Sequence, residues 1–244
     1  MRLTNITFTG IDAHTDIKEL IEIQREYPIA EFGVLTSINW KENGNRYLDP
    51  KLIKTIFRFT TKLNLSLHIC GGLAHAAAEG YWSVIDEHLL WEVENFNRIQ
   101  LNISNHKNNP EHLWPTCFPN QELIVQQRDA NNLTLFDRTL MYWSNRGKSF
   151  SVLLDASGGQ GINTPLKVLP SRCKVGYAGG INPENVGKKL AFLLRNVHIG
   201  EFWIDMESGV RTDDWFDTTK VRRVLEICDK VAKNFGINIK NSEE

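Results

Sequence analysis

Residues 152–161 read VLLDASGGQG: strand-forming apolar residues, one carboxylate, then a glycine-rich loop. A carboxylate placed where a buried strand stops can be held partly out of water. Partial desolvation of that kind raises its pKa toward the range in which it donates or accepts a proton. Asp155 is therefore a candidate general acid. Two later runs end in the same way, in Ala178-Gly179-Gly180-Ile181-Asn182-Pro183 and in Ser208-Gly209-Val210. Glycine lets backbone N–H groups come close to a ligand. Three such turns in succession point to a phosphate cradle on Gly179, Gly180, Ser208 and Gly209, with a helix expected to start at Asn182 beside it. Taken one at a time, each glycine turn also suits a plain tight turn.

These residues need a frame that brings distant strand ends together. Short runs rich in β-branched and apolar residues occur near 3–9, 31–36, 65–70, 98–103, 122–127, 150–155, 173–178 and 202–206. Segments of helical spacing lie between most of them. Ile17, Leu20, Ile21 and Ile23 share one face; Asp49-Pro50 opens a second helix; 81–96 and 133–144 are aromatic-rich; and 217–235 closes the chain. Eight strands alternating with helices in 244 residues fit a single (β/α)8 barrel, α/β in class. In that fold the C-terminal strand ends form the active face, and the last two loops commonly hold phosphate. No linker marks a domain boundary, so residues 1–244 are read as one domain, with 238–244 expected to fray.

The composition narrows the partners. A formal net charge of −1 gives no general case for nucleic acid or for a membrane surface. The first twenty residues lack the pattern of a signal peptide, and no apolar run is long enough to span a bilayer. Cys70, Cys117, Cys173 and Cys228 are far apart, which suits reduced thiols in a cytoplasmic protein. A small phosphorylated molecule is the expected partner, with the protein a monomer or homodimer and without a cofactor or metal.

The segments LLDASGGQG, YAGGINPENV and IDMESGVR, in this order and near this spacing, resemble the C-terminal half of the phosphoribosylanthranilate isomerase family. The resemblance implies a (β/α)8 barrel. It also implies an Amadori rearrangement of a phosphorylated aminoaldose to a 1-deoxyketose, in tryptophan biosynthesis. It assigns the general acid to Asp155 and phosphate contacts to Gly179, Gly180, Ser208 and Gly209. Arg46 would receive the substrate carboxylate.

The sequence departs from the family pattern at the base. The family's strand-one cysteine corresponds to Thr9 in Phe8-Thr9-Gly10, and a neutral hydroxyl is a poor proton acceptor. The Ile-Cys-Gly triplet occurs two strands later, at Ile69-Cys70-Gly71, so Cys70 is a second catalytic candidate that could face Asp155 over the barrel mouth. An inert, buried thiol is the plainer reading of the same residue. Arg128, just past strand five, is a further candidate for a substrate carboxylate, or for a salt bridge with Asp129 or with the neighbours of Asp155. Glu207 stands where the family usually has a serine.

Two other readings stay open. Asp12, His14, His68, His75 and Asp205 supply enough ligands for a metal-dependent hydrolase, although Asp12 and Asp16 also suit solvated helix starts. A barrel that kept the phosphate cradle and lost its chemistry would be a binding module.

Overall fold

The computed structural model describes residues 1–39, 44–57, 62–81, 83–84, 96–103, 120–127, 147, 149–158, 160–169 and 173–241. Eight parallel strands close into a barrel in sequence order. They are β1 (Arg2–Thr9), β2 (Ala30–Thr36), β3 (Leu65–Ile69), β4 (Arg98–Leu101), β5 (Glu122–Gln127), β6 (Phe150–Asp155), β7 (Lys174–Ala178) and β8 (Glu201–Met206). Each of the eight expected strands is present, and β8 pairs with β1 to close the ring. The described helices are α1 (Ile17–Glu26), α2 (Pro50–Phe57), α3 (Gly71–Ala78), α4 (Val186–Asn196) and α5 (Thr218–Lys233). The aromatic segments 81–96 and 133–144 and Arg128 fall largely or wholly outside the described residues.

Alternation along each strand sorts side chains into two layers. Ile6, Phe8, Phe32, Leu67, Val152 and Ile204 belong to the large apolar cluster between sheet and helices. Ile124, Leu153 and Trp203 form a separate small cluster inside the barrel. Below that cluster the interior is charged. Glu31 on β2 is wholly buried and accepts from Asn5 (3.2 Å), Thr7 (2.9 Å) and Arg98 (2.8 Å). Glu122 accepts from Lys174 (3.0 Å) and Ser151 (2.6 Å), and its Oε1 lies 3.4 Å from Arg98 Nε. Side chains of β2 and β4 are not on adjacent strands, so they meet only across the lumen. The Arg98 guanidinium lies 4.1 Å from the Trp203 ring centroid, which makes the aromatic ring the lid on this ionic floor. Removing one partner would leave a buried charge uncompensated, a loss of roughly 3–5 kcal/mol.

Helix starts follow local chemistry. Asp16 accepts from Lys18 N and caps α1, and Asp217 accepts from Thr219 N and Lys220 N to cap α5. Asp49 accepts from Lys51 N at 2.8 Å ahead of Pro50. Asn182 instead heads a turn, accepting from Glu184 N and Asn185 N, and α4 begins only at Val186. The expected helix start at Asn182 is therefore four residues early.

Two further expectations are corrected. Asp12 is not a solvated helix-start residue: it is 1% exposed, and its Oδ2 accepts from Arg211 Nη2 (2.9 Å) and Phe216 N (2.6 Å). That bond ties the end of β1 to a hairpin of two short strands, β9 (Arg211–Thr212) and β10 (Trp215–Phe216). The tail does not fray before Asn241, whose N donates to Glu26 O at 2.9 Å, while Ile239 is buried and Lys240 pairs with Glu26. Among the described residues no helix is long and apolar enough to cross a membrane.

Candidate active site

A cavity opens at the C-terminal mouth of the barrel, walled by strand ends and by the glycine turns after β6, β7 and β8. Asp155 is the last residue of β6 and is 5% exposed. Its Oδ2 accepts from Gln126 Nε2 at 2.9 Å. Its Oδ1 accepts from Ser157 Oγ at 2.6 Å and from Ser157 N at 3.1 Å. The loop thus folds back onto the carboxylate, which fixes its orientation. Gln126 was not singled out by sequence; its parity on β5 is the signal that would have found it.

Asp205, on β8, is the second carboxyl in the cavity and is also 5% exposed. Burial pushes its pKa up to about 7, with the charges of Glu31 and Glu207 adding to the rise, against the hydrogen bond from Thr9 and the charge of Arg98. Thr9 Oγ1 donates to Asp205 Oδ1 at 2.8 Å. The threonine at the strand-one position is therefore hydrogen-bonded to a carboxyl poised near neutrality. Sequence reading placed Asp205 at the barrel mouth and among possible metal ligands but gave it no acid–base role, because the pKa rise depends on burial.

Behind these groups runs a chain of polar side chains. Gln100 Nε2 meets His68 Nδ1 at 3.1 Å and donates to Asn102 Oδ1 at 2.8 Å, while His68 Nε2 lies 3.0 Å from Ser66 Oγ. Burial, with the charge of Arg98, pushes the His68 pKa down to about 3, so the ring is neutral. Asn102 Nδ2 contacts Cys70 Sγ at 3.1 Å.

Cys70 does not share the cavity wall with Asp155. It is the residue before α3, its thiol bonds with Tyr47 and Asn102, and burial pushes its pKa up to about 12. The expected thiol base opposite Asp155 is therefore not favoured by this geometry: a thiol with that pKa is almost wholly protonated at neutral pH. Arg46 also differs from expectation. Its Nη1 donates to Glu207 Oε1 at 2.7 Å and its Nε to Asp214 Oδ1 at 2.9 Å, so the guanidinium is already paired with two protein carboxylates. Lys220 does not reach over the mouth; its Nζ donates to the Arg211 carbonyl.

The glycine turns are close-packed as well as open to the cavity. A Cβ on Gly180 would stand 2.5 Å from Asn163 N, and one on Gly209 would stand 2.0 Å from Ile181 O. Gly179 and Gly180 have φ of 117° and 59°, which further favours glycine. Gly179, Gly180, Ser208 and Gly209 all line the cavity. Because α4 starts at Val186, any anion cradle here is made of loop backbone, not of that helix's terminus.

Among the described residues no group of three His, Cys, Asp or Glu side chains is placed to hold a metal ion. The ligands considered for a hydrolase are dispersed. Asp12 is paired with Arg211, His14 stacks on Trp215 at 3.7 Å between centroids, and His68 is held by Ser66 and Gln100.

A family model described as "PRAI: N-(5'phosphoribosyl)anthranilate (PRA) isomerase" matches residues 91–227, more than half of the chain. No curated protein matches the sequence. Among solved structures, N-(5'-phosphoribosyl)anthranilate isomerase from Pyrococcus furiosus is similar, with a TM-score of 0.54 at 16% identity over 93% of this chain and 99% of that one. KGPDC from Streptococcus mutans aligns with a TM-score of 0.52 at 10% identity, over 94% of this chain and 99% of that one. A truncated 3-deoxy-D-arabino-heptulosonate 7-phosphate synthase from Thermotoga maritima aligns with a TM-score of 0.54 at 12% identity, over 97% and 89%. At these identities the structural likenesses establish the barrel.

Proposed function

The chain belongs to the N-(5'-phosphoribosyl)anthranilate isomerase family, and from that membership we propose that it converts an N-substituted aldosylamine phosphate to the corresponding 1-deoxyketose by acid–base isomerisation. The observation that carries the reading is that Asp155 and Asp205 line one cavity together with the glycine turns after β6, β7 and β8. In this reading the backbone at Gly179, Gly180, Ser208 and Gly209 binds the phosphate, which fixes the sugar's reacting end over the carboxyls.

Asp155 donates a proton to the ring oxygen. The C1–O bond breaks and nitrogen's lone pair forms a C1–N double bond, giving a cationic iminium. Asp205 then removes the C2 proton, whose electrons neutralise the iminium and leave an enaminol. Tautomerisation of the enaminol yields the ketose. A carboxyl with a pKa near the working pH suits the base, because an appreciable fraction is ionised while the conjugate acid still forms readily. Asp205 thus takes the role left open by Thr9, to which it is hydrogen-bonded.

The test is turnover of N-(5'-phosphoribosyl) arylamines by the wild type and by Asp155→Asn and Asp205→Asn. Each variant is expected to lose at least ~10²-fold in kcat while retaining phosphate-dependent binding. In deuterated water, the wild type should place one solvent deuteron at C1 of the ketose product, and Asp205→Asn should form almost no labelled product. Full turnover by Asp155→Asn would defeat the mechanism. Tight binding without turnover by the wild type would make the protein a ligand-binding barrel.

A further inference from the structure

The turn after β7 presents Gly179, Gly180 and Ile181 to the cavity in succession. Its peptides are held from behind. Gly179 O accepts from Lys189 Nζ at 2.9 Å and from Thr164 N at 3.5 Å. Gly180 O accepts from Asn185 Nδ2 at 2.8 Å, and Asn185 Oδ1 is itself fixed by Asn182 N at 3.0 Å. These peptide bonds are trans. In a planar trans peptide the carbonyl and the next residue's N–H point in opposite directions. Tying down the two carbonyls therefore sends the Gly180 and Ile181 N–H groups away from Lys189 and Asn185. Among the described residues nothing accepts from either group. Successive N–H groups left open on a backbone of positive-φ glycines make a nest for an anion.

Lys189 stands on the far side of this turn. It lies half-buried in the first turn of α4, where it lines a separate pocket with Thr164 and has no part in the barrel mouth. Its ammonium also donates to Thr164 O at 2.8 Å, so two carbonyls hold it there. Burial pushes its pKa down, and among the described residues it pairs with no carboxylate. A cation drawn partly out of water without a counter-charge is a cost to the fold. An anion on the cavity side would offset that cost, because it would face the positive end of the peptide dipole whose negative end rests on Lys189. The bond at the carbonyl also polarises the peptide and strengthens its N–H as a donor.

We infer that Lys189 is a positioning residue for the substrate phosphate. It acts through the Gly179–Gly180 peptide, orienting and polarising the Gly180 N–H toward the anion without touching the ligand. Asn185 does the same for the Ile181 N–H. The inference rests on the phosphate cradle of the isomerase reading and adds to it a cation that stands outside the cavity wall.

Calorimetry with 1-(2-carboxyanilino)-1-deoxyribulose 5-phosphate, and displacement by the same compound lacking its phosphate, tests the inference. The wild type should bind the phosphorylated compound at least ~10²-fold more tightly. Lys189→Met keeps the length of the side chain and removes its donors and charge. It should weaken the phosphorylated compound by ~10-fold and leave the other within about twofold. Lys188→Met removes an exposed charge from the neighbouring position and should leave both within about twofold. Unchanged binding by Lys189→Met, an equal loss for both compounds, or an equal loss in Lys188→Met would overturn the inference and leave the cradle standing. Equal binding of the two compounds by the wild type would overturn the cradle as well. Should Lys189→Met not fold, amide NMR of the wild type titrated with inorganic phosphate decides, since hydrogen bonding to the anion should move the Gly180 and Ile181 amide protons downfield. Shifts confined to Ser208 and Gly209 would overturn the inference alone, and shifts at neither turn would overturn both.

Discussion

Asp205→Asn separates the electrostatic state of the site from its chemistry. In the folded protein the Asp205 pKa is about 7, against an ordinary value of 3.8. A carboxyl raised in this way contributes stability that is fully present below the unfolded value and is lost as pH rises through the folded one. At pH 5 the folded group is protonated and the unfolded one is mostly ionised. About two pH units then separate the solution from the folded pKa, and at ~1.4 kcal/mol per unit the proton stabilises the fold by about 3 kcal/mol relative to pH 8.5. Asn keeps the oxygen that accepts from Thr9 and cannot ionise. Urea denaturation of both proteins at pH 5 and pH 8.5 isolates the effect, because their other titrating groups are shared. The stability difference between variant and wild type should move by about 3 kcal/mol in the variant's favour on going to pH 8.5. A difference unchanged to within about 0.5 kcal/mol would refute the buried, near-neutral carboxyl. It would also remove the physical reason for assigning the base to Asp205.

Cys70→Ala should leave kcat within about twofold, because the thiol is protonated and outside the cavity, and should lower stability by ~1 kcal/mol in urea denaturation. A loss of ~10²-fold would restore Cys70 as the base. Gly209→Ala should lower the melting temperature by about 5 °C or more, since its Cβ would stand 2.0 Å from a backbone oxygen. Unchanged melting by circular dichroism would show that the turn has room to spare.

The barrel is legible in the sequence because its signal is local and repeated. Short β-branched runs such as 31–36 and 122–127 can hardly be read as helix, and eight of them in order leave few architectures. Asp155 is legible for a related reason: a carboxylate between an apolar strand and a glycine loop stands against its surroundings. What escaped reading depends on partners far along the chain. Asp12 looks like a helix-start residue until Arg211, some two hundred positions later, is brought against it. Cys70 has the parity to face inward, but α3 begins at the next residue and Tyr47 covers the thiol. The tail 238–241 is polar in composition and is held by main-chain and ion-pair contacts to Glu26 that no composition predicts.

The ionic floor under Trp203 has a consequence for how the barrel closes. Glu31, Arg98, Glu122 and Lys174 arrive on β2, β4, β5 and β7, so no two consecutive strands other than β4 and β5 can neutralise a charge between them. Slipping any of these strands by one residue would turn its charge outward, into the apolar layer beneath the helices. The four charges therefore act as a combination lock. Each wrong register loses its ion pair, and the set is completed when β7 delivers Lys174 to Glu122. A barrel keyed in this way should report its own closure. The last ion pair forms at a late strand, so a probe of Trp203, covered by Arg98 at 4.1 Å and with Lys174 Nζ 5.5 Å from its ring, would change when the two halves of the chain lock together.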